Sequence, residues 1–294
     1  MIGCMSRRQG NIRQFAVGRW HCAKARSARW VAAAVLWLCG QPAAWAIGKP
    51  GVRIWLPEAV TTTAPVIDRL FYVVLAITGV IFIGVQATLV GFLLRYRRRP
   101  GRPAHYTHGS NLVEVIWTVI PAGILIFLAG YSQRVWSQVR GTPPPPDLQV
   151  EIIAQQFVWN IHYPGPDRRL GRTDPQLIDD ATNPIGLDPR DPAAQDDVVT
   201  VNQLHLPTDQ VVLLQLKSKD VIHSFFVPQF RMKQDAVPGI TSRLWLSAVK
   251  AGHFEIACAE LCGIGHYRMR GFLILESAAD FHQWLAEQAQ EQRS

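Results

Sequence analysis

The first 46 residues contain no acid, the chain contains no internal repeat, and no Cys-x-x-Cys-His segment occurs anywhere. The missing Cys-x-x-Cys-His excludes a covalently attached c-type haem, and the missing repeat excludes a solenoid or propeller. The acid-free leader relocates the charge. Of a formal net +8 on 294 residues, seven charges come from Arg7, Arg8, Arg13, Arg19, Lys24, Arg26 and Arg29. The remainder is close to neutral, which excludes the basic surface of a nucleic-acid-binding protein.

Residues 1–46 also carry an apolar stretch from Trp30 to Leu38 and the small-x-small segment Ala44-Trp45-Ala46. That stretch is far short of the roughly 20 residues that span a bilayer, so the pattern predicts a signal peptide cleaved after Ala46. Cys4, Cys22 and Cys39 leave with it, and only Cys258 and Cys262 remain. In an exported chain, two cysteines four apart point to a disulfide or to a metal.

Hydrophobic residues make up 48% of the chain and its mean hydropathy is +0.06, values that call for a membrane anchor. The anchor is expected over 47–136, with helices at about 70–94 and 113–131; Pro121 is tolerable inside a membrane helix. Trp117 and Tyr131 stand near the ends of the second helix, where aromatic rings favour the interface. Between the helices, Arg95, Arg97, Arg98, Arg99 and Arg102 precede Glu114 without an intervening acid. So basic a loop stays on the cytoplasmic side of a bacterial inner membrane, which puts both ends of the mature chain on the periplasmic side.

A stiff linker is expected over 137–147, where four prolines run from Pro143 to Pro146. From Leu148 the pattern becomes one of short strands: 148–153, 198–201, 210–217, 243–248, 252–257 and 271–275. These predict a small antiparallel sandwich or barrel over 148–276. An Asp-, Pro- and Gly-rich loop at 165–197 interrupts it. Residues 277–294 form a helical tail, with Ser277 as N-cap and Asp280 three residues on.

The chemistry concentrates in Cys258-Ala-Glu-Leu-Cys262-Gly-Ile-Gly-His266-Tyr-Arg-Met269. Two thiols, an imidazole and a thioether are a soft ligand set that selects copper or zinc, and Met269 favours copper. Gly263 and Gly265 let the loop fold these side chains toward one point. A mononuclear blue-copper site needs one cysteine and two histidines, so there is one thiol too many. Two bridging thiolates on two coppers would explain the surplus, given a second histidine, and His223 in the apolar segment Val221–Pro228 offers it. A disulfide would explain none of His223, His266 and Met269.

The segments Asp220–Gly239 and Cys258–Met269, with Glu114–Ala122 in the second helix, resemble those of cytochrome c oxidase subunit II, from the hairpin to Glu276. The resemblance implies a transmembrane helical hairpin followed by an all-β cupredoxin-like Greek-key barrel. It also implies a CuA centre of two copper ions, bridged by Cys258 and Cys262 and completed by His223 and His266, with Met269 and the Glu260 carbonyl as weak ligands. The Glu260 side chain would hold magnesium at the contact with subunit I, and Glu114 would mark the mouth of a proton channel there. Electrons would pass from a c-type cytochrome through CuA to haem in subunit I, where oxygen is reduced and protons are pumped. Phe157 stands where many relatives place the tryptophan facing cytochrome c, and Trp159 matches the following one; both are candidate electron-uptake residues.

The outer region is acidic, with 14 Lys and Arg against 19 Asp and Glu from Trp136 onward, so a basic donor is expected, with Asp220 and Asp235 as contacts. His105, His108, His162, His205, His253 and His282 are expected at the surface or in packing. The alternative is a membrane-anchored copper chaperone, which Gly263, in place of a proline after the second cysteine, and the second helix oppose. Other oxidase subunits and membrane lipid complete the expected partners.

Overall fold

A computed structural model describes residues 55–103 and 106–292. The expected signal peptide, with Cys4, Cys22, Cys39 and the cleavage after Ala46, lies outside the described residues, as does His105. Within Glu58–Gln292, two long helices lead into a β-sandwich closed by a terminal helix.

Helix α1 spans Ala64–Arg95, opened by Pro65 at a position where the missing N–H costs nothing. Helix α2 spans Asn111–Arg140, with Glu114 in its first turn, where the helix dipole favours an acid, and Pro121 inside it. Their apolar side chains, such as Phe82, Ile83, Leu94 and Ile126, stay exposed within the chain, a surface suited to lipid or a protein neighbour. Both helices outrun the apolar stretches read from sequence, α1 by six residues at its start and α2 by nine at its end. The extra turns carry polar groups that the barrel satisfies. Arg231 Nε donates to Asp68 at 2.6 Å, and Arg140 donates to the Gln234 side chain and, at 2.9 Å, to the Lys233 carbonyl. The proline linker is accordingly shorter than expected, beginning at Gly141.

Ten strands follow: β1 Leu148–Gln155, β2 Val158–Tyr163, β3 Val198–Val201, β4 Gln203–Pro207, β5 Val211–Ser218, β6 His223–Val227, β7 Met232–Ala236, β8 Ser242–Ser247, β9 Gly252–Cys258 and β10 Arg270–Glu276. They form two five-stranded sheets, β3-β2-β1-β5-β8 and β4-β10-β9-β6-β7, in the cupredoxin-like arrangement. The expected antiparallel sandwich or barrel contains two parallel pairs, β1 with β5 and β4 with β10, among otherwise antiparallel neighbours. Parallel neighbours need a long crossover, and the chain between β1 and β5 supplies one.

In β5, Val212, Leu214 and Leu216 alternate inward. They meet Trp159, Tyr163, Phe225 and Phe230 in a core where a buried side chain of this size contributes about 1.5–3 kcal/mol. Helix α3, Ala278–Glu291, begins at Ser277. The Ser277 hydroxyl accepts from Asp280 N–H at 3.2 Å and donates to the Asp280 carboxylate at 2.6 Å, a variant of the capping box. Phe281 then plugs α3 into the core beside Tyr163.

Loop 165–197 is built on side-chain caps: Asp174 accepts from Gln176 N–H, and Asp191 from Ala193 N–H. Asp197 ties both ends of the loop down, accepting from Gly165 N–H at 3.3 Å and Gly171 N–H at 2.7 Å. Its other partner is His162, fully buried between Asp197 and Glu151. His162 is thus the centre of a buried charged cluster, a role that periodicity does not reveal.

Candidate metal centre

The β9–β10 connection supplies most of the site. Cys258 ends β9 beside Phe225 of β6, and that pairing brings His223, the first residue of β6, up to the cysteine loop. Cys258 Sγ lies 3.9 Å from His223 Nδ1, 3.9 Å from Cys262 Sγ and 3.2 Å from the Glu260 carbonyl oxygen. Cys262 Sγ lies 3.6 Å from His266 Nδ1 and 3.8 Å from Met269 Sδ. All six groups singled out in the sequence therefore converge, and both cysteines are free thiols.

The set fits a soft metal. Donors bonded at about 2.0–2.3 Å to one tetrahedral centre stand roughly 3.3–3.8 Å apart, close to the separations found here. The ligand atoms of His223, Cys258 and Cys262 lie within 4.8 Å of one another. Cys262 and Met269 are buried, and a thiolate–imidazole–thioether set suits copper.

The groups around the ligands aim them. His223 Nε2 is 2.8 Å from Asp220 Oδ1, so the imidazole turns Nδ1 toward the thiols. Asp220 Oδ2 also accepts from Gln156 N–H at 2.7 Å. The expected docking carboxylate at Asp220 is thus engaged within the chain. Asp235 likewise accepts from the Ser224 hydroxyl at 2.6 Å.

The β1–β2 turn presses on the loop from outside. Gln156 Nε2 donates to the Cys262 carbonyl, and the Phe157 ring lies flush against Gly263 and Gly265. Gly263 has φ +132°, which favours glycine, and a Cβ on Gly265 would sit 2.4 Å from Phe157 Cδ2, so the ring would have to give way to any side chain there. Neither Gln156 nor this use of Gly265 follows from the motif alone.

The thiols are inequivalent. Burial would raise the Cys258 pKa, but hydrogen bonds from His223, backbone groups and His266 outweigh it and bring it down to about 6. Burial and the adjacent Cys258 charge push Cys262 up to about 11. Burial opposes ionisation of both Asp220 and His223, but contact with His223 and with backbone N–H groups lowers the Asp220 pKa, and contacts with Cys258 and then Asp220 raise that of His223.

Trp159 is fully buried, edge-on to His223 with ring centroids 6.2 Å apart and edge-on to Phe225. It backs the ligand without reaching the surface. Phe157 is half-buried at the rim. Exposed Leu261, Ile264 and Tyr267 surround the loop, and the Glu260 residue is also exposed. Glu114 lies at the opposite end of α2, about 39 Å along the helix from Arg140.

The acidity of the outer region is concentrated in loop 165–197, which holds eight acids against four arginines. Its Asp180 accepts from Lys219 Nζ at 2.7 Å and from Gln155 Nε2 at 3.0 Å, beside Asp220 and Gln156. The loop is therefore anchored near the metal end of the barrel, with its Asp180 carboxylate paired to Lys219.

Comparison with known proteins gives two family matches. Residues 148–277 match "Cytochrome C oxidase subunit II, periplasmic domain", and residues 49–135 match "Cytochrome C oxidase subunit II, transmembrane domain". The alternative cytochrome c oxidase subunit 2 of Bradyrhizobium diazoefficiens is 38% identical over 236 residues, 80% of this chain and 83% of that protein. Cytochrome c oxidase subunit 2 of Thermostichus vulcanus is 34% identical over 254 residues, 78% of this chain and 77% of that protein. Among solved structures, the periplasmic domain of subunit II of cytochrome oxidase from Bradyrhizobium japonicum is 26% identical. It covers 51% of this chain and 99% of its own, with a TM-score of 0.38.

Proposed function

The chain belongs to the cytochrome c oxidase subunit II family, a component of the haem–copper oxidase, and from that premise we propose that it takes electrons from a c-type cytochrome and passes them to haem in subunit I. The observation that carries this reading is the convergence of Cys258, Cys262, His223, His266, Met269 and the Glu260 carbonyl on one small volume. Two copper ions held there as CuA would supply one-electron redox chemistry. This chain by itself reduces no oxygen; oxygen reduction and proton pumping belong to the assembled oxidase.

The chain's own residues set the conditions for transfer. Asp220 fixes the His223 ring, Gln156 fixes the carbonyl between Cys262 and Gly263, and Phe157 covers the loop. A rigid ligand frame limits the rearrangement that accompanies each electron. Phe157, at the rim, is the residue we assign to donor contact; Trp159 supports His223 from within. The acids of loop 165–197 would steer a basic cytochrome, with Asp220 and Asp235 adding charge at short range.

The exposed Glu260 side chain is assigned to magnesium at the subunit I contact, a suitable hard carboxylate ligand. Glu114 is assigned to the mouth of a proton channel. The arginine-rich loop at 95–102 sets the topology, with the barrel on the periplasmic side. Family membership and the barrel disfavour the chaperone alternative.

The test is metal content and electron paramagnetic resonance on the copper-loaded full chain. Two coppers sharing one unpaired electron are expected. Cys258→Ser or Cys262→Ser should leave at most one copper, whereas Met269→Leu should keep both with an altered spectrum and potential. One copper per wild-type chain with a localised signal would overturn the assignment.

A further inference from the structure

A cavity of about 540 Å³ lies on the outer face of the first sheet, between β1 and β5 on one side and segment 168–173 of the long loop on the other. Glu151 and Lys217 stand on its sheet wall, and Arg168, Arg169 and Arg172 on its loop wall. Four cations thus share the space with one acid, and that acid is already engaged. Glu151 is buried, with one carboxylate oxygen on Lys217 Nζ and the other 3.2 Å from His162 Nδ1. Arg172 is held by Asp188, which is outside the lining. Arg168 and Arg169 differ. Among the described residues neither guanidinium meets a carboxylate or donates to any other group. Their backbones are fixed instead, Arg168 N–H on the Gly165 carbonyl at 3.0 Å and Arg169 N–H on the Asp167 carboxylate at 2.8 Å.

The charge and the donors left over identify the class of ligand. Lys217 and Arg172 are neutralised, so the surplus is the charge of Arg168 and Arg169 together. A metal cation is excluded by that surplus, and a neutral ligand would leave it uncompensated. A cleft lined by one sign of charge concentrates the opposite ion, and a guanidinium fork matches the oxygens of a phosphate or carboxylate. The sheet wall adds neutral donors. Gln215 Nε2 donates to Gln149 Oε1 at 3.2 Å, which leaves both N–H bonds of the Gln149 amide free. Donors on two facing walls suit the tetrahedral oxygens of a phosphoryl group, whereas a planar carboxylate spends both oxygens on one wall. The volume is that of a small-molecule pocket, within about 300–1,000 Å³, so a phosphomonoester fits as well as free phosphate.

We propose that this cavity binds a phosphate-type dianion, free or carried on a small molecule, with its oxygens on Arg168, Arg169 and the Gln149 amide. None of the lining residues is a ligand of the metal centre, so the inference is independent of the copper and donor assignments. An occupant held by both walls would pin segment 168–173 to β1 and β5 and so stabilise the loop.

The full chain, in mild detergent without added copper, is titrated calorimetrically at constant ionic strength and about pH 8, where the phosphates are dianions. The probes are orthophosphate, glycerol phosphate and, as the dicarboxylate control, succinate. One phosphate probe should bind once per chain, at least about tenfold more tightly than succinate. Tighter orthophosphate assigns the site to the free ion and tighter glycerol phosphate to a phosphomonoester; either supports the proposal. Arg168→Gln and Arg169→Gln should each weaken binding at least about tenfold, the loss expected for a charge-assisted hydrogen bond. Arg243→Gln, at an exposed arginine outside the lining, should leave it unchanged. The side chains of Arg168 and Arg169 hold no other element, so their variants keep the fold. In thermal melts phosphate should raise the midpoint of the wild type, as a ligand of the folded state does, and leave that of the double variant where it was. No binding of either phosphate, succinate binding as tightly as both, undiminished binding in the double variant, or an equal loss in Arg243→Gln would each overturn the proposal.

Discussion

Gly265→Ala tests whether the Phe157 ring presses on the metal loop. The new methyl carbon would lie 2.4 Å from Cδ2 and 2.6 Å from both Cγ and Cε2 of that ring. Carbon atoms settle at about 3.5–4.0 Å, so ring and loop must part by roughly 1 Å. Forcing an extra methyl into a packed contact costs about 1–3 kcal/mol. Phe157 is half-buried and can swing toward solvent, which puts the expected loss near the lower figure. The backbone itself raises no objection, because strain from a positive φ belongs to Gly263 and not to Gly265. The assay is a double-mutant cycle by chemical denaturation of the metal-free chain, with Gly265→Ala and Phe157→Ala singly and together. Relief of the overlap should make the pair less destabilising than the sum of its members by about 1 kcal/mol. A second readout follows from function: Gly265→Ala displaces the proposed contact residue and should slow reduction by the cytochrome donor while both coppers stay bound. A coupling of zero within about 0.3 kcal/mol would refute the claim that the ring rests on the loop.

The buried cluster at His162 makes stability depend on pH. Burial lowers the His162 pKa, but the bonds to Asp197 and Glu151 outweigh it, so its folded value stands above 6.5. This contribution is complete below 6.5 and is lost as pH rises through the raised value. Burial raises Glu151, yet contacts with His162 and Lys217 hold it below 4.5, so its contribution is complete above 4.5 and is lost as pH falls through the lowered value. Between pH 4.5 and 6.5 both are present. In denaturant titrations His162→Gln should be less stable than wild type in that window and should lack the decline on the alkaline side; parallel pH profiles would refute this. Donor docking should weaken with salt, and Asp180→Asn, which removes a carboxylate beside Gln155 and exposes the Lys219 charge, should lower the second-order reduction rate several-fold at low ionic strength. Rates flat across ionic strength in both proteins would remove electrostatic steering from the account.

Local pattern is enough to specify what depends on neighbours in the chain. The two apolar stretches determine the helices, because a segment of that length and composition satisfies its backbone internally and needs only an apolar surrounding. The ligand loop is equally legible, since Cys258, Cys262, His266 and Met269 fall within one turn-rich segment whose chemistry is set by residue type and spacing. Alternation likewise marks strands such as β3 and β5, and Ser277 with Asp280 marks the start of α3. What the tertiary structure alone decided involves residues distant in sequence. The β6–β9 pairing places Phe225 opposite Cys258 and so delivers His223 to the thiols across 35 residues. The Gln156–Cys262 contact spans 106 residues, and no periodicity encodes it. Asp220 reads as a surface acid until the His223 ring is seen on its carboxylate, and His162 as a packing residue until Glu151 and Asp197 close around it. The parallel strand pairs and the added turns of α1 and α2 share this cause: periodicity reports which face of an element is buried, whereas the choice of partner is a contest among distant groups settled by packing and by the cost of burying any polar group unpaired.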